Sequence, residues 1–234
     1  MPELTALKRN LGQIVIQIGN VINAIAARAI GVCAPCCERE SRVAQLQLFA
    51  RDLPEGFVYR LEFISAEEER TLEGTIEQLS FAQIKMHGAI AKRRAAHFGR
   101  GYEYESGRIA HGAEIPDFFL PLRARVGEFA GRDAEEFAEL LVTDYPAGAG
   151  IGWHRDAPAF DIVVGVSLVS ECTMQFRPWA VEKNSKRERL LRQVLEPQSA
   201  YILRGLSRTR WQHPIAATKN RRLSLNFRTL RKSV

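Results

Sequence analysis

Cysteine is scarce in this chain of 234 residues: there are four, three of them crowded at Cys33, Cys36 and Cys37 and the fourth alone at Cys172. Four cysteines do not make a disulfide scaffold at this length. A Cys-x-x-Cys-Cys cluster with no second Cys or His pair nearby is read as reduced thiols in preference to a zinc site. Long apolar runs are also missing. The most apolar stretch, Ile14 to Val32, is interrupted by Gln17, Asn20, Asn23 and Arg28. It falls short of the roughly 18 apolar residues of a membrane span and makes a poor secretory signal. Internal repeats and low-complexity tracts are absent, which sets aside solenoids and disordered arrays. The expectation is a soluble cytoplasmic protein with no membrane partner, no obligate protein partner and a monomeric state.

Acidic residues are what the end of the chain lacks. From Arg204 onward there are nine Lys or Arg and no Asp or Glu. The chain as a whole is only mildly basic, at +6, so this run reads as a local basic field suited to an anionic partner or cosubstrate. Hydrophobic residues at 46% and charged residues at 26% are ordinary globular values, and the length suits one sizeable domain.

Residues 1–45 read as an apolar-rich, helical N-terminal extension with no assigned role. The main domain spans 46–234. Phe57 to Phe63 alternates as a strand, and Ser65 caps a helix whose acids Glu67, Glu68 and Glu69 suit its dipole, running to about Leu79. Residues 81–112 are basic, aromatic and Gly-rich, and are read as strands joined by loops. A second helix is expected from Pro121 to about Ala130. After Glu139 the pattern turns to β: Leu140 to Tyr145, Asp161 to Leu168, Thr173 to Phe176, Ala200 to Leu203 and Leu223 to Arg228, with a charged surface excursion at Lys183 to Arg192. Many short strands with turn signals point to an α+β, mainly β fold, a sandwich or barrel with the early helices packed outside.

His154-Arg-Asp156 is the strongest local signal. Residues two apart on a strand share a face, so an imidazole and a carboxylate can share a metal. With His213 downstream they make two histidines and one carboxylate, the facial set of non-haem Fe(II) oxygenases, although a hydrolytic zinc site uses the same ligands. The strand Arg222-Leu-Ser224-Leu-Asn226-Phe-Arg228 decides for iron. Its alternation places both guanidiniums on one face with Ser224 and Asn226, a costly arrangement unless anions meet them. A small dicarboxylate would meet both.

Four blocks, in order, resemble the AlkB family of Fe(II)- and 2-oxoglutarate-dependent dioxygenases. Thr143-x-Tyr145-x-x-Gly148-x-x-Ile151-x-x-His154-x-Asp156 is similar to the family's Asn-x-Tyr-x-x-Gly-x-x-Ile-x-x-His-x-Asp run. Gly205-Leu-Ser207-Arg208 ahead of His213 is like its Gly-x-Ser-Arg. Arg222-x-Ser224-x-x-x-Arg228 resembles its Arg-x-Asn-x-x-x-Arg. Arg93-Arg94 to Gly99, then Tyr102-Glu-Tyr104, look like its nucleotide-recognition lid, here at 81–112. Thr143 and Ser224 stand where the family has Asn, and Ala157 and Pro158 follow Asp156 where many repair members carry acids.

The resemblance implies a double-stranded β-helix (jelly roll) core with N-terminal helices and a substrate lid. It implies that His154, Asp156 and His213 bind Fe(II) and form the catalytic centre. Tyr145, Thr143, Arg222, Ser224 and Arg228 would hold 2-oxoglutarate, with Arg222 on the distal carboxylate and Arg228 near the one that chelates iron. Arg93, Arg94, Tyr102 and Tyr104 would meet substrate. The implied activity uses 2-oxoglutarate and O2 to demethylate alkylated DNA or RNA, single strands favoured, as in dealkylation repair. The alternative is the same chemistry on a protein side chain or a small molecule, and a third reading is a nucleic-acid-binding module with a vestigial site. Phe98 is read as packing under the lid, His87, His97 and His111 as structural, and Trp153 and Trp211 as core.

Overall fold

In the computed structural model, residues 53–86, 89–103, 108–179 and 190–231 are described. The N-terminal extension and its three cysteines lie outside them. Leu53–Val234 forms one compact unit. Its strands are β1 (Phe57–Arg60), β2 (Ala82–Met86), β3 (Ala89–Glu103), β4 (Arg108–His111), β5 (Phe137–Tyr145), β6 (Ile151–His154), β7 (Phe160–Leu168), β8 (Cys172–Pro178), β9 (Leu191–Leu195), β10 (Ala200–Leu203), β11 (Trp211–Ile215) and β12 (Arg222–Leu230). Its helices are α1 (Ala66–Ile76), α2 (Leu120–Ala130) and the short α3 (Leu206–Thr209).

The strands form two antiparallel sheets. The larger has eight strands in the order β1-β10-β7-β12-β5-β3-β2, with β4 added on β3, and the smaller has four in the order β6-β11-β8-β9. This is the expected β-sandwich of jelly-roll type. One core joins α1 and α2 to the outer face of the large sheet through Ile76, Leu122 and Val126, against Ile162, Val164, Val166 and Leu168 of β7 and Leu223, Leu225 and Phe227 of β12. The second core fills the interior beside the small sheet with Val163, Met174, Phe176, Leu195, Tyr201 and Ile215. Period-two alternation thus splits β7 and β12 between two environments. On β12 the inner face is polar, and that polar face builds the site.

The helices begin and end for local reasons. Ser65 Oγ accepts from the Glu68 backbone N–H while Glu68 Oε2 accepts from the Ser65 N–H, a complete capping box at the start of α1. Arg125 of α2 clamps Glu68 at 2.8 Å, tying the two helices together. Pro121 sits in the first turn of α2, and Gly131, at φ 65°, closes it in the left-handed conformation that glycine adopts freely. Sequence patterning places both helices within a few residues. It runs β1 on to Phe63, whereas the strand stops at Arg60 and the chain turns through Glu62, at φ 49°, to bury Phe63 and Ile64.

Strands β6, β9 and β11 carry too little alternation to be singled out beforehand. Of the charged excursion, 180–189 lies outside the described residues, and its end is β9. Gly165 has a packing role. It pairs with Tyr201 across the ladder, and a methyl group there would fall 2.3 Å from the tyrosine ring. The bare glycine lets that ring lie across β7, so that Tyr201 donates to Asn226 Oδ1 at 3.1 Å.

Candidate active site

The floor of the site is the inner face of the β5–β12 ladder. Its direct cross-strand partners are Tyr145 with Arg222, Thr143 with Ser224, Leu141 with Asn226, and Glu139 with Arg228. All eight side chains line one cavity of about 540 Å³. The opposite wall comes from the small sheet through His154, Met174, His213 and Ile215, and Ile84, Arg93 and His97 of the β2–β3 hairpin complete it.

His154 and His213 are direct partners on β6 and β11, with ring centroids 4.5 Å apart. Asp156 lies beyond the end of β6, so strand alternation is not what brings it alongside. Arg208 of α3 does this: its Nη2 donates to the carbonyls of Ala157 and of Phe160, fastening the loop that carries the carboxylate. One ligand atom from each of His154, Asp156 and His213 lies within 4.8 Å of the others. His154 Nδ1 is 2.9 Å from the Gly152 carbonyl. A carbonyl only accepts, so Nδ1 carries the proton and Nε2 is left as the ligating atom.

The electrostatics suit a cation. Burial alone would raise the Asp156 carboxyl, but the Arg228 guanidinium, with His213, His154 and Arg208, overrides this and holds it well below the usual carboxylate range. Burial pushes His213 down to about 3 against the pull of Asp156, so its imidazole is neutral at pH 7. Asp156 Oδ2 is buried without a hydrogen-bond partner and stands 3.5 Å from His213 Nε2. One carboxylate, two imidazoles and an orphaned buried oxygen fit a divalent metal with three ligands from the protein.

The two arginines of β12 do different things. Arg222 is 1% exposed. Its Nε donates to Ser167 Oγ at 3.1 Å, its guanidinium lies 5.2 Å from the Tyr145 ring centroid, and its Nη1 is buried with no hydrogen-bond partner. A buried, incompletely paired guanidinium facing a cavity fits a carboxylate ligand. Arg228 is held by the protein's own anions, Glu139 at 2.9 Å and Asp156 at 3.2 Å. The expectation that one dicarboxylate meets both guanidiniums therefore gives way to a division of labour. Arg222 faces the cavity for a ligand, and Arg228 fixes Asp156.

Tyr145 and Thr143 are both buried in the cavity, as is Ser224, which accepts from Asn226 Nδ2 at 3.1 Å. Arg93 lines the cavity and donates to the Gly150 carbonyl at 3.2 Å. Arg94 does not line it. As the next residue on β3 it faces the other way and pairs with Asp144 at 2.9 Å, its guanidinium over Phe81. The side chains of Tyr102 and Tyr104 lie outside the described residues. Phe98 packs on the helix-side core as expected. His97 is a site residue where a structural one was expected, since it lines the cavity 3.6 Å from Glu139. Trp211 packs on the inner core, whereas the Trp153 ring is capped by the Arg177 guanidinium at 4.3 Å.

The basic C-terminal run does not all face solvent. Arg208, Arg222 and Arg228 are buried, and Arg221 is tied to Glu77 and Asp144. Glu139, Asn226, Ser167 and Tyr201 are site residues that motif reading leaves out. Asn226 alone was signalled, by its place in the alternation of β12.

Residues 64–231 match the 2OG-Fe(II) oxygenase superfamily. Among curated proteins the chain is similar to the tRNA (carboxymethyluridine(34)-5-O)-methyltransferase alkbh8 of Xenopus tropicalis, 25% identical over 184 residues, covering 76% of this chain and 28% of that protein. It is also similar to the Mus musculus protein of the same name, ALKBH8, 27% identical over 177 residues, covering 71% of this chain and 25% of that one. The chain thus spans about a quarter of the length of these relatives. Among solved structures, OsALKBH1 superposes with a TM-score of 0.58 at 16% identity, covering 76% of this chain and 99% of that one, which is a likeness of fold.

Proposed function

Since the chain belongs to the 2OG-Fe(II) oxygenase superfamily, as an AlkB-like dioxygenase that uses Fe(II), 2-oxoglutarate and O2, we propose that it dealkylates nucleic-acid bases. The substrate in this reading is an N-alkylated base in DNA or RNA, preferentially in a single strand, where no base has to be flipped out of a duplex. His154, Asp156 and His213 are assigned as the metal ligands. A metal held there would let O2 be reduced by oxidative decarboxylation of 2-oxoglutarate, one oxygen atom ending in succinate beside CO2 and the other in a C–H bond of the alkyl group. The hydroxylated alkyl then leaves as an aldehyde, and the base nitrogen recovers a proton.

The chain's own residues bind, orient and exclude water. Arg222, with the Tyr145 ring beside it, holds the distal carboxylate of the cosubstrate. Arg228 keeps Asp156 ionised and aimed. Leu141, Ile151, Met174 and Ile215 keep the cavity wall dry. All of these come from one chain, and a monomer suffices.

The observation that carries the reading is the β2–β3 hairpin, which sets Arg93 and His97 into the same cavity as the triad. Its volume of about 540 Å³ is suited to a flipped or unpaired base beside a small cosubstrate. The relatives named for tRNA chemistry support a nucleic-acid substrate. The test is Fe(II)-dependent release of succinate and formaldehyde, with and without methylated single-stranded oligonucleotides. Stimulation with loss of the methyl group is expected. Turnover indifferent to the oligonucleotides would overturn the assignment and move the substrate to a protein side chain or a small molecule.

A further inference from the structure

Glu139 is a buried acid that the iron and 2-oxoglutarate chemistry does not use. It is 1% exposed at the start of β5 and lines the cavity. One oxygen, Oε2, accepts from Arg228 Nη1 at 2.9 Å. The other, Oε1, is buried with no hydrogen-bond partner, and the half-exposed His97 ring stands beside it with Nδ1 3.6 Å away. Arg228 links the same carboxylate to Asp156 at 3.2 Å, so Glu139 stands one guanidinium away from the triad. Gly101 leaves room on the near side, where an added methyl would lie 3.6 Å from Oε1. A carboxylate oxygen accepts hydrogen bonds, and one buried without a partner is costly to leave unmet.

We infer that Glu139 Oε1 reads the substrate by accepting a hydrogen bond from an amino N–H on the edge of the bound base. The inference rests on the nucleic-acid reading above. The carboxylate would favour alkylated adenine or cytosine, whose exocyclic amino groups donate, over alkylated thymine or uracil, which present a carbonyl oxygen at the corresponding place. A carbonyl there would set two acceptors against each other in a dry site. A discrimination on the order of 10- to 100-fold follows from one such contact.

The test compares kcat/KM for 1-methyladenine and 3-methylcytosine against 3-methylthymine and 3-methyluracil in otherwise identical single-stranded oligonucleotides. It uses the full chain and its Glu139→Gln and Glu139→Asp variants. The ratio of two substrates on one enzyme sample is unaffected by lost iron or misfolded protein, which a merely structural role of Glu139 would produce. The wild type is expected to prefer the amino-bearing bases by at least about tenfold. Glu139→Gln, whose amide can turn either its oxygen or its nitrogen to the base, is expected to bring the ratio close to one. Glu139→Asp, withdrawn by one methylene, should lower it in part. A ratio unchanged in both variants overturns the role of Glu139 and leaves dealkylation standing. Absence of stimulation by all four bases overturns dealkylation and this role with it.

Discussion

Replacing Arg222 by methionine separates the cost of keeping a charge buried from the use made of it. The guanidinium is 1% exposed and its Nη1 has no hydrogen-bond partner, while its side-chain partners are the Ser167 hydroxyl, which accepts from Nε, and the Cys172 thiol, whose deprotonation burial opposes. A cosubstrate carboxylate placed there would accept charge-assisted hydrogen bonds worth about 1.5–3 kcal/mol each. Loss of two of them, at about 1.5–2 kcal/mol each, amounts to about 3–4 kcal/mol, and at about 1.4 kcal/mol per decade the apparent KM for 2-oxoglutarate should rise by about 100- to 1000-fold. The isostere also removes a buried and incompletely paired charge, so the ligand-free protein should be at least as stable as the wild type. The assays are succinate release titrated with 2-oxoglutarate and thermal unfolding with and without it. Wild-type protein should gain Tm as the cosubstrate is added, and the variant should not. A folded variant whose KM stays within about threefold of wild type would refute the assignment of this arginine to the cosubstrate.

Other outcomes follow from the same geometry. His154→Ala and Asp156→Ala should each abolish iron-dependent succinate release while keeping a cooperative unfolding transition; turnover in either variant removes the metal assignment. Arg93→Ala should lower oligonucleotide-stimulated kcat/KM by about tenfold, and Arg94→Ala should leave it within about threefold, because Arg94 faces Asp144 and not the cavity; equal losses would contradict the alternation of β3. The depressed His213 predicts an acid sensitivity of the metal-free protein. Its folded value is about 3 and its ordinary value 6.5, so between those limits the unfolded chain binds more protons and stability falls as pH falls. The slope contributed is up to about 1.4 kcal/mol per pH unit, and His213→Gln should flatten it in a series of denaturant titrations.

The parts of the molecule legible in the sequence are those governed by near neighbours. The capping box at Ser65, the Pro121 and Gly131 boundaries of α2 and the alternation of β12 all lie within a few residues of what they specify. Asp156 shows the limit. Its spacing from His154 suggests a shared strand face, yet it sits past the strand and is placed by Arg208, 51 and 48 residues beyond the carbonyls it clamps. Glu139 is hidden for the same reason. Heading a strand that reads as core, it is made tolerable only by Arg228, 89 residues on. Arg93 and Arg94 look equivalent as neighbours in a basic segment and are separated only once β3 has a face against β5. The nine cations at the end of the chain share a stretch of sequence, and burial sends several of them to different partners.

Because β12 carries the helix-side core on Leu223, Leu225 and Phe227 and the cavity floor on Arg222, Ser224, Asn226 and Arg228, the strand obeys a parity rule. An insertion or deletion of one residue between Arg222 and Arg228 would turn guanidiniums into the helices and leucines into the cavity, destroying stability and chemistry in a single step. A change of two would keep the faces and shift the floor by one rung. The rule ends where the ladder slips, between Arg228 and the residues that follow. Thr229 lies beyond that slip and accepts the Ile162 backbone N–H through its hydroxyl. Length variation in this strand is therefore expected to be confined to the segment after Arg228, which makes that position the natural seam for grafting another C-terminal segment onto the domain.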